Sequence, residues 1–192
     1  MKNIILMLLL IIPIFCNAQK ISTDRIEDDG RRQIMCSTKE EKLDGAKYSF
    51  RVKAYESYGY IDWYLLVSSF NYIPENVTLL IKLGNDEVIT LYVNNRTESK
   101  IDMPTYSYVI GNVAYSPPIR QADYYTALFE LSLDNLKKIE EHGIIKVRIS
   151  SRNSYNEKSW KKDKLGKYLA KSWRKIEEKY NTTEIKSIYN DF

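Results

Sequence analysis

The chain has 192 residues, with 29 Lys and Arg against 25 Asp and Glu, for a formal net charge of +4. So nearly balanced a charge is not the footprint of a nucleic-acid binder. One histidine and two cysteines leave no cluster of soft ligands for a metal and no disulfide framework.

The N-terminal stretch reads as an export signal. Lys2 precedes the apolar run IILMLLLIIPIF, which is shorter than the about 20 residues that cross a bilayer. Positive start, apolar run and small residues follow in the order of a secretory signal peptide. Cys16 and Ala18 are the small residues that flank a cleavage point before Gln19. Cys16 has a second reading as a lipid-attachment site. Phe15, however, stands where a bacterial lipidation box carries Gly or Ala, so cleavage after Ala18 is the expectation. Residues 1–18 are therefore set apart as signal peptide. The mature chain is long enough to bury a core without cross-links. No later apolar stretch reaches spanning length, so the exported chain is expected to be soluble, in the periplasm or outside the cell.

Residues 19–29, QKISTDRIEDD, are polar and expected as a flexible lead-in. One β-rich domain is expected over 30–180, followed by a tail over 181–192. In RQIMCS, Cys36 is the cysteine left after the signal, and it reads as a buried small hydrophobe rather than a nucleophile. YSFRVKAY alternates, with Tyr48, Phe50, Val52 and Ala54 on one face. IDWYLLVSSF is apolar on both faces and reads as a central strand. NVTLLIKL, a GND turn and EVITLYV read as a hairpin, with Val77, Leu79, Ile81 and Leu83 facing inward beside Ile89, Leu91 and Val93.

Residues 94–106 are polar and read as a loop; SYVIGNVAY reads as a strand, SPPIRQAD as a second loop and YYTALFELS as a strand. SLDNLKKIEEHG carries complete helix punctuation. Ser132 is the N-cap, Asp134 lies in the first turn and Gly143 ends the helix. IIKVRIS follows with Ile145, Val147 and Ile149 inward. A long helix is expected over about residues 157–180, with a stripe of Leu165, Leu169, Trp173, Ile176 and Tyr180. Gly166 interrupts it, which points to a kink or to close packing there. The fold class is α+β, mainly β: an antiparallel β-sandwich or a curved sheet of about seven strands, with one short helix and a long C-terminal helix.

No residue set carries catalysis. His142 falls at a helix C-terminus, and no nucleophile elbow accompanies it. The acid runs Glu27–Asp28–Asp29 and Glu40–Glu41 have the residue types of a glycosidase pair, but lie in polar flanks where charges are normally solvated. Accordingly no catalytic residue, no metal ligand and no cofactor is expected.

Sixteen tyrosines are the distinctive feature. YESYGYIDWY gathers Tyr55, Tyr58, Tyr60, Trp63 and Tyr64 around a turn at Gly59, and Tyr108, Tyr115, Tyr124 and Tyr125 lie beside later loops. Tyrosine is a good strand former, so ordinary packing accounts for most of them. Rings at a sheet end also stack on sugars or anchor protein contacts. The candidate binding residues are Tyr58, Tyr60 and Trp63, which flank the turn.

The signal ending FCNAQK and the stretch YTALFELSLDNLKKIEEHGIIKVRIS resemble segments of small exported proteins of Bacteroidetes-type bacteria. The resemblance implies a Gram-negative envelope or exterior location and a β-rich fold; it carries no site residues. The functional expectation is an exported, non-catalytic binding or protein-interaction module of the cell envelope. The alternatives are a glycan- or small-ligand-binding protein with an aromatic groove, or a carboxylate-based hydrolase. An envelope protein or a glycan is the expected partner, with no nucleic acid and no transmembrane span.

Overall fold

The computed structural model describes residues 20–105, 107–110 and 112–190. The expected signal peptide, with Cys16, lies outside them. The chain order is β1 (Ile21–Ile26), β2 (Arg32–Cys36), β3 (Lys39–Leu43), β4 (Ala46–Ser57), β5 (Tyr60–Ser69), β6 (Thr78–Leu83), β7 (Val88–Met103), β8 (Tyr108–Ile110), β9 (Val113–Tyr115), β10 (Arg120–Leu131), α1 (Leu133–His142), β11 (Ile144–Ser150), β12 (Tyr155–Ser159) and α2 (Leu165–Asn190).

The fold is mainly β and antiparallel, with two helices among the described residues. Nine strands share one hydrogen-bonded path, β1-β2-β4-β5-β10-β7-β6-β11-β12, and β3, paired to β4 beside β2, is the tenth strand of this sheet. β7 turns the corner of this path: it pairs with β6 as far as Tyr92 and with β10 from Val93 onward. The path curls until β12 meets β3. There the Asp44 N–H donates to the Glu157 carbonyl at 3.1 Å, and the Glu157 N–H donates to Asp44 Oδ2 at 2.8 Å. Lys158 Nζ reaches Glu41 Oε2 at 2.6 Å and Asn156 Nδ2 donates to Tyr48 Oη at 2.9 Å, so the seam is closed by polar side chains.

The inward face holds the core. Tyr48, Phe50, Val52 and Ala54 on β4 meet Leu65 and Val67 on β5, Phe129 on β10, and Leu79 and Ile81 on β6. The α2 stripe Leu165, Leu169, Trp173, Ile176 and Tyr180 is buried as its spacing requires. α2 packs on α1, β2, β4 and β11. At Gly166 the helix approaches β11 closely: a Cβ there would stand 2.8 Å from the Ile144 N. The glycine serves close packing.

Several boundaries depart from the sequence reading. Among the described residues the strands number twelve rather than about seven. The lead-in is not loose, because residues 21–26 form β1; Arg32 on β2 bonds Asp24 at 2.9 Å and holds it there. Most of the expected loop at 94–106 belongs to β7, and half of SPPIRQAD to β10. Both stretches are polar, yet each supplies the other's backbone partners. SYVIGNVAY folds back on itself as the β8–β9 hairpin. The helix expected from about residue 157 begins at Leu165, since residues 155–159 pair with β11 as β12. It then runs through the expected tail to Asn190. On β11 a register irregularity after Ile144 buries that residue in place of Ile145.

Candidate functional site

β4 and β5 are joined by a two-residue turn, with Ser57 opposite Tyr60. Tyr58 and Gly59 both have left-handed backbones, φ 51° and φ 81°. That is the hairpin geometry whose twist matches the strands, and it favours Asn, Asp or Gly at its first position. Here a tyrosine occupies it, and the ring stands 99 % exposed.

Alternation along β5 separates the three predicted residues. Tyr60 and Asp62 point outward, whereas Trp63 faces the core and is 7 % exposed. Strand periodicity of two forbids residues three apart from sharing a face. Tyr58 and Tyr60 therefore form the exposed end, and Trp63 supports it from within.

Beside Tyr58 lies an open cleft of about 480 Å³ between the β1–β2 and β4–β5 turns. Ile26, Asp29, Gly30, Arg32, Glu56 and Ser57 complete its lining. Its charges are organised. Arg31 bonds Asp29 at 2.7 Å and holds its carboxyl below the usual carboxylate range. Arg32 does the same to Asp24, with Lys179 adding to the effect against the opposing cost of burial. The outer face next to the cleft carries a stack: Tyr55 lies edge-on to Tyr64 at 5.8 Å, with Arg31 and Lys53 over its ring at 4.6 and 4.2 Å. The cleft thus offers a ring beside hydrogen-bonding and charged groups, the mixture suited to a polar ligand with an apolar face.

The acid runs do not assemble a pair of facing carboxylates. Glu40 and Glu41 are neighbours on β3 and point to opposite faces; Glu40 bonds Lys47 at 2.8 Å and Glu41 bonds Lys158 at 2.6 Å. Glu27 is bonded by Arg25 at 3.0 Å. Cys36 is fully buried, its Sγ donating to the Ser172 carbonyl at 3.4 Å, and burial pushes the thiol up to about 11. Its reactivity is correspondingly low. Among the described residues no three His, Cys, Asp or Glu side chains gather where an ion could be held, and no helix is long and apolar enough to cross a membrane.

A second aromatic group escapes a reading of the sequence because its members are far apart in it. Phe70 meets Tyr124 at 4.9 Å, and Tyr72 meets Tyr125 at 5.3 Å. Arg96 sits over both Tyr72 and Tyr125, at 5.4 and 4.9 Å, and its Nε donates to the Ile73 carbonyl at 2.8 Å. This group lies at the other end of β5 from Tyr58. Compared with family models, curated proteins and solved structures, the chain matches none.

Proposed function

We propose that the protein is an exported, non-catalytic binding module of the bacterial cell envelope, and that the Tyr58–Tyr60 end with its adjoining cleft is the recognition surface. One observation carries the reading. Tyr58 is a large ring on a left-handed backbone, held in solvent where Asn or Gly is cheaper. Packing does not account for it, since the ring covers nothing. Strain kept at one exposed residue is the signature of a residue retained for contact. An envelope protein is the first reading of the partner. A glycan is the second, favoured by the polar groups that line the cleft beside the ring.

The test is Tyr58→Asn. Asn tolerates the turn, so the fold gains about 1 kcal/mol in urea unfolding. Binding falls at the same time, read as loss of the dominant crosslinked partner in living cells, or of retention on a glycan array. A variant that is more stable and still binds as wild type removes this end from consideration.

A further inference from the structure

Beyond the body of the sheet, β7 and β10 continue together as a two-stranded arm. β6 leaves β7 after Tyr92, and β5 reaches only to Tyr125 of β10, while the β7–β10 pairing runs on to Met103 and Arg120. The arm ends in the β8–β9 hairpin. At its root Arg96 lies over the rings of both Tyr72 and Tyr125.

Three properties of the tip have no role in the fold. First, the seventeen residues from Met103 to Ile119 include no Asp, Glu, Lys or Arg. Second, Val109, Ile110 and Val113 are 68 %, 69 % and 62 % exposed. Third, the side chains are graded along the hairpin. Tyr108 lies opposite Tyr115 and Ile110 opposite Val113, so the four share one face. Ile110 and Val113 are outermost. The two tyrosine rings, stacked at 5.7 Å, stand one strand repeat behind them. The charges begin only with Arg120, Asp102 and Lys100 on the arm itself.

Aliphatic, then aromatic, then charged is the order of side chains across the boundary of a bilayer. The spacing also fits: two strand residues cover about 7 Å, within the about 5–10 Å depth of interfacial insertion. We infer that the β8–β9 tip seats in the interface of a lipid bilayer. Size decides against a protein in this place, whether another chain or a second copy. A stable protein interface takes roughly 20–30 residues a side, and this face offers four side chains. Behind the tip, the arm carries both signs of charge, including Glu98, Lys100, Asp102 and Asp123, which suits water. The seating is shallow, because the outer edges of β8 and β9 carry backbone groups that pair with no other strand among the described residues and are not tolerated in hydrocarbon. It is driven by apolar contact rather than charge, as Arg96, Lys100 and Arg120 balance Glu98, Asp102 and Asp123.

The experiment is flotation of the purified protein with phosphatidylcholine vesicles and with vesicles of phosphatidylethanolamine and phosphatidylglycerol, in low and high salt. The expected result is binding to both, changed little by salt, and reduced at least tenfold in Ile110→Asp/Val113→Asp. Tyr108→Trp supplies a readout that leaves the tip apolar: the new indole's emission shifts to the blue on adding vesicles. Tyr58→Asn floats as wild type, which separates this inference from the recognition surface. Absence of flotation, binding confined to anionic vesicles and lost in salt, an unmoved emission in Tyr108→Trp, or tip-dependent dimers in place of vesicle binding each overturns it.

Discussion

At Gly84 a missing side chain decides whether the β6–β7 turn can lie against the end of α1. The Gly84 N–H donates to the His142 carbonyl at 3.2 Å, and a Cβ at this position would collide with that oxygen. The obstacle is backbone at a helix terminus, which cannot swing aside. Gly84→Ala is expected to cost about 1–3 kcal/mol, the usual range for overpacking, read as a lower urea midpoint with an unchanged slope. Tyr58 and Trp63 make the complementary point. The turn at Gly59 is legible from the sequence alone, but the exposure of its flank is not, because tyrosine also packs well within strands. That Tyr60 and Trp63 part company follows from counting residues along β5, a rule available from sequence once the strand is placed. The cleft is different, because Arg32 and Glu56 come together only through the β2–β4 register.

Among the elements, α1 is the most readable, because its ends are coded locally. Ser132 Oγ accepts from the Asn135 N–H at 3.0 Å, and the Gly143 N–H closes the last turn on the Ile139 carbonyl at 3.0 Å, with φ 66°. Ser132→Ala is expected to cost about 1 kcal/mol in urea unfolding, and Ser132→Asp to restore most of it. α2 shows where local reading stops. The periodicity identifies its buried stripe, yet places its first turn about two turns early. Residues 155–159 have no apolar alternation; Arg148 and Lys146 on β11 hold Glu157 at 2.6 and 2.7 Å and make a strand of them. Asp163 then starts the helix by accepting from the Gly166 N–H at 2.7 Å. β7 hides for the same reason. NNRTESKID has no apolar face, and its strand exists because β10 lies alongside.

For the whole molecule, pH acts through the buried neutral groups. Burial raises the Cys36 thiol to about 11 from an ordinary value of 9.0, and raises the Tyr48 and Tyr180 hydroxyls as well. A raised value means that the folded state holds its proton more tightly. That contribution is complete below the unfolded values and is lost as pH climbs through the folded ones. In acid the sign reverses. Asp24, held down by Arg32, stabilises the fold above its ordinary 3.8 and ceases to do so as pH falls below it. Other carboxylates held down by cations, such as Glu157 and Glu140, lie near the surface, where screening leaves them little weight. Thermal midpoints are therefore expected to be level from about pH 5 to 9 and to fall above 9. A decline beginning near neutrality would contradict this account. The molecule is also polar in layout. Tyr58 and its cleft occupy one end of β5, and the arm leaves from the other, so in the proposed seating of the tip in lipid the proposed recognition surface faces away from the bilayer.

Features that depend on neighbours within a few residues could be read from the chain itself. These are the caps of α1, the turn at Gly59, the inward faces of β4 and β6, the α2 stripe, and a mainly antiparallel class with a long C-terminal helix. They follow from backbone geometry and side-chain periodicity, which act over one or two turns of chain. Long-range pairing settled the rest: which polar segments become strands, how β7 bridges the two parts of the path, and how β12 returns to β3. Those outcomes rest on backbone hydrogen bonds to partners far along the chain, and such bonds leave no pattern in the side chains of the segment that makes them. The cleft beside Tyr58 and the charge-free tip beyond Arg96 belong to this second kind. Their residues are visible in the sequence, but the distances that give them meaning exist only in the fold.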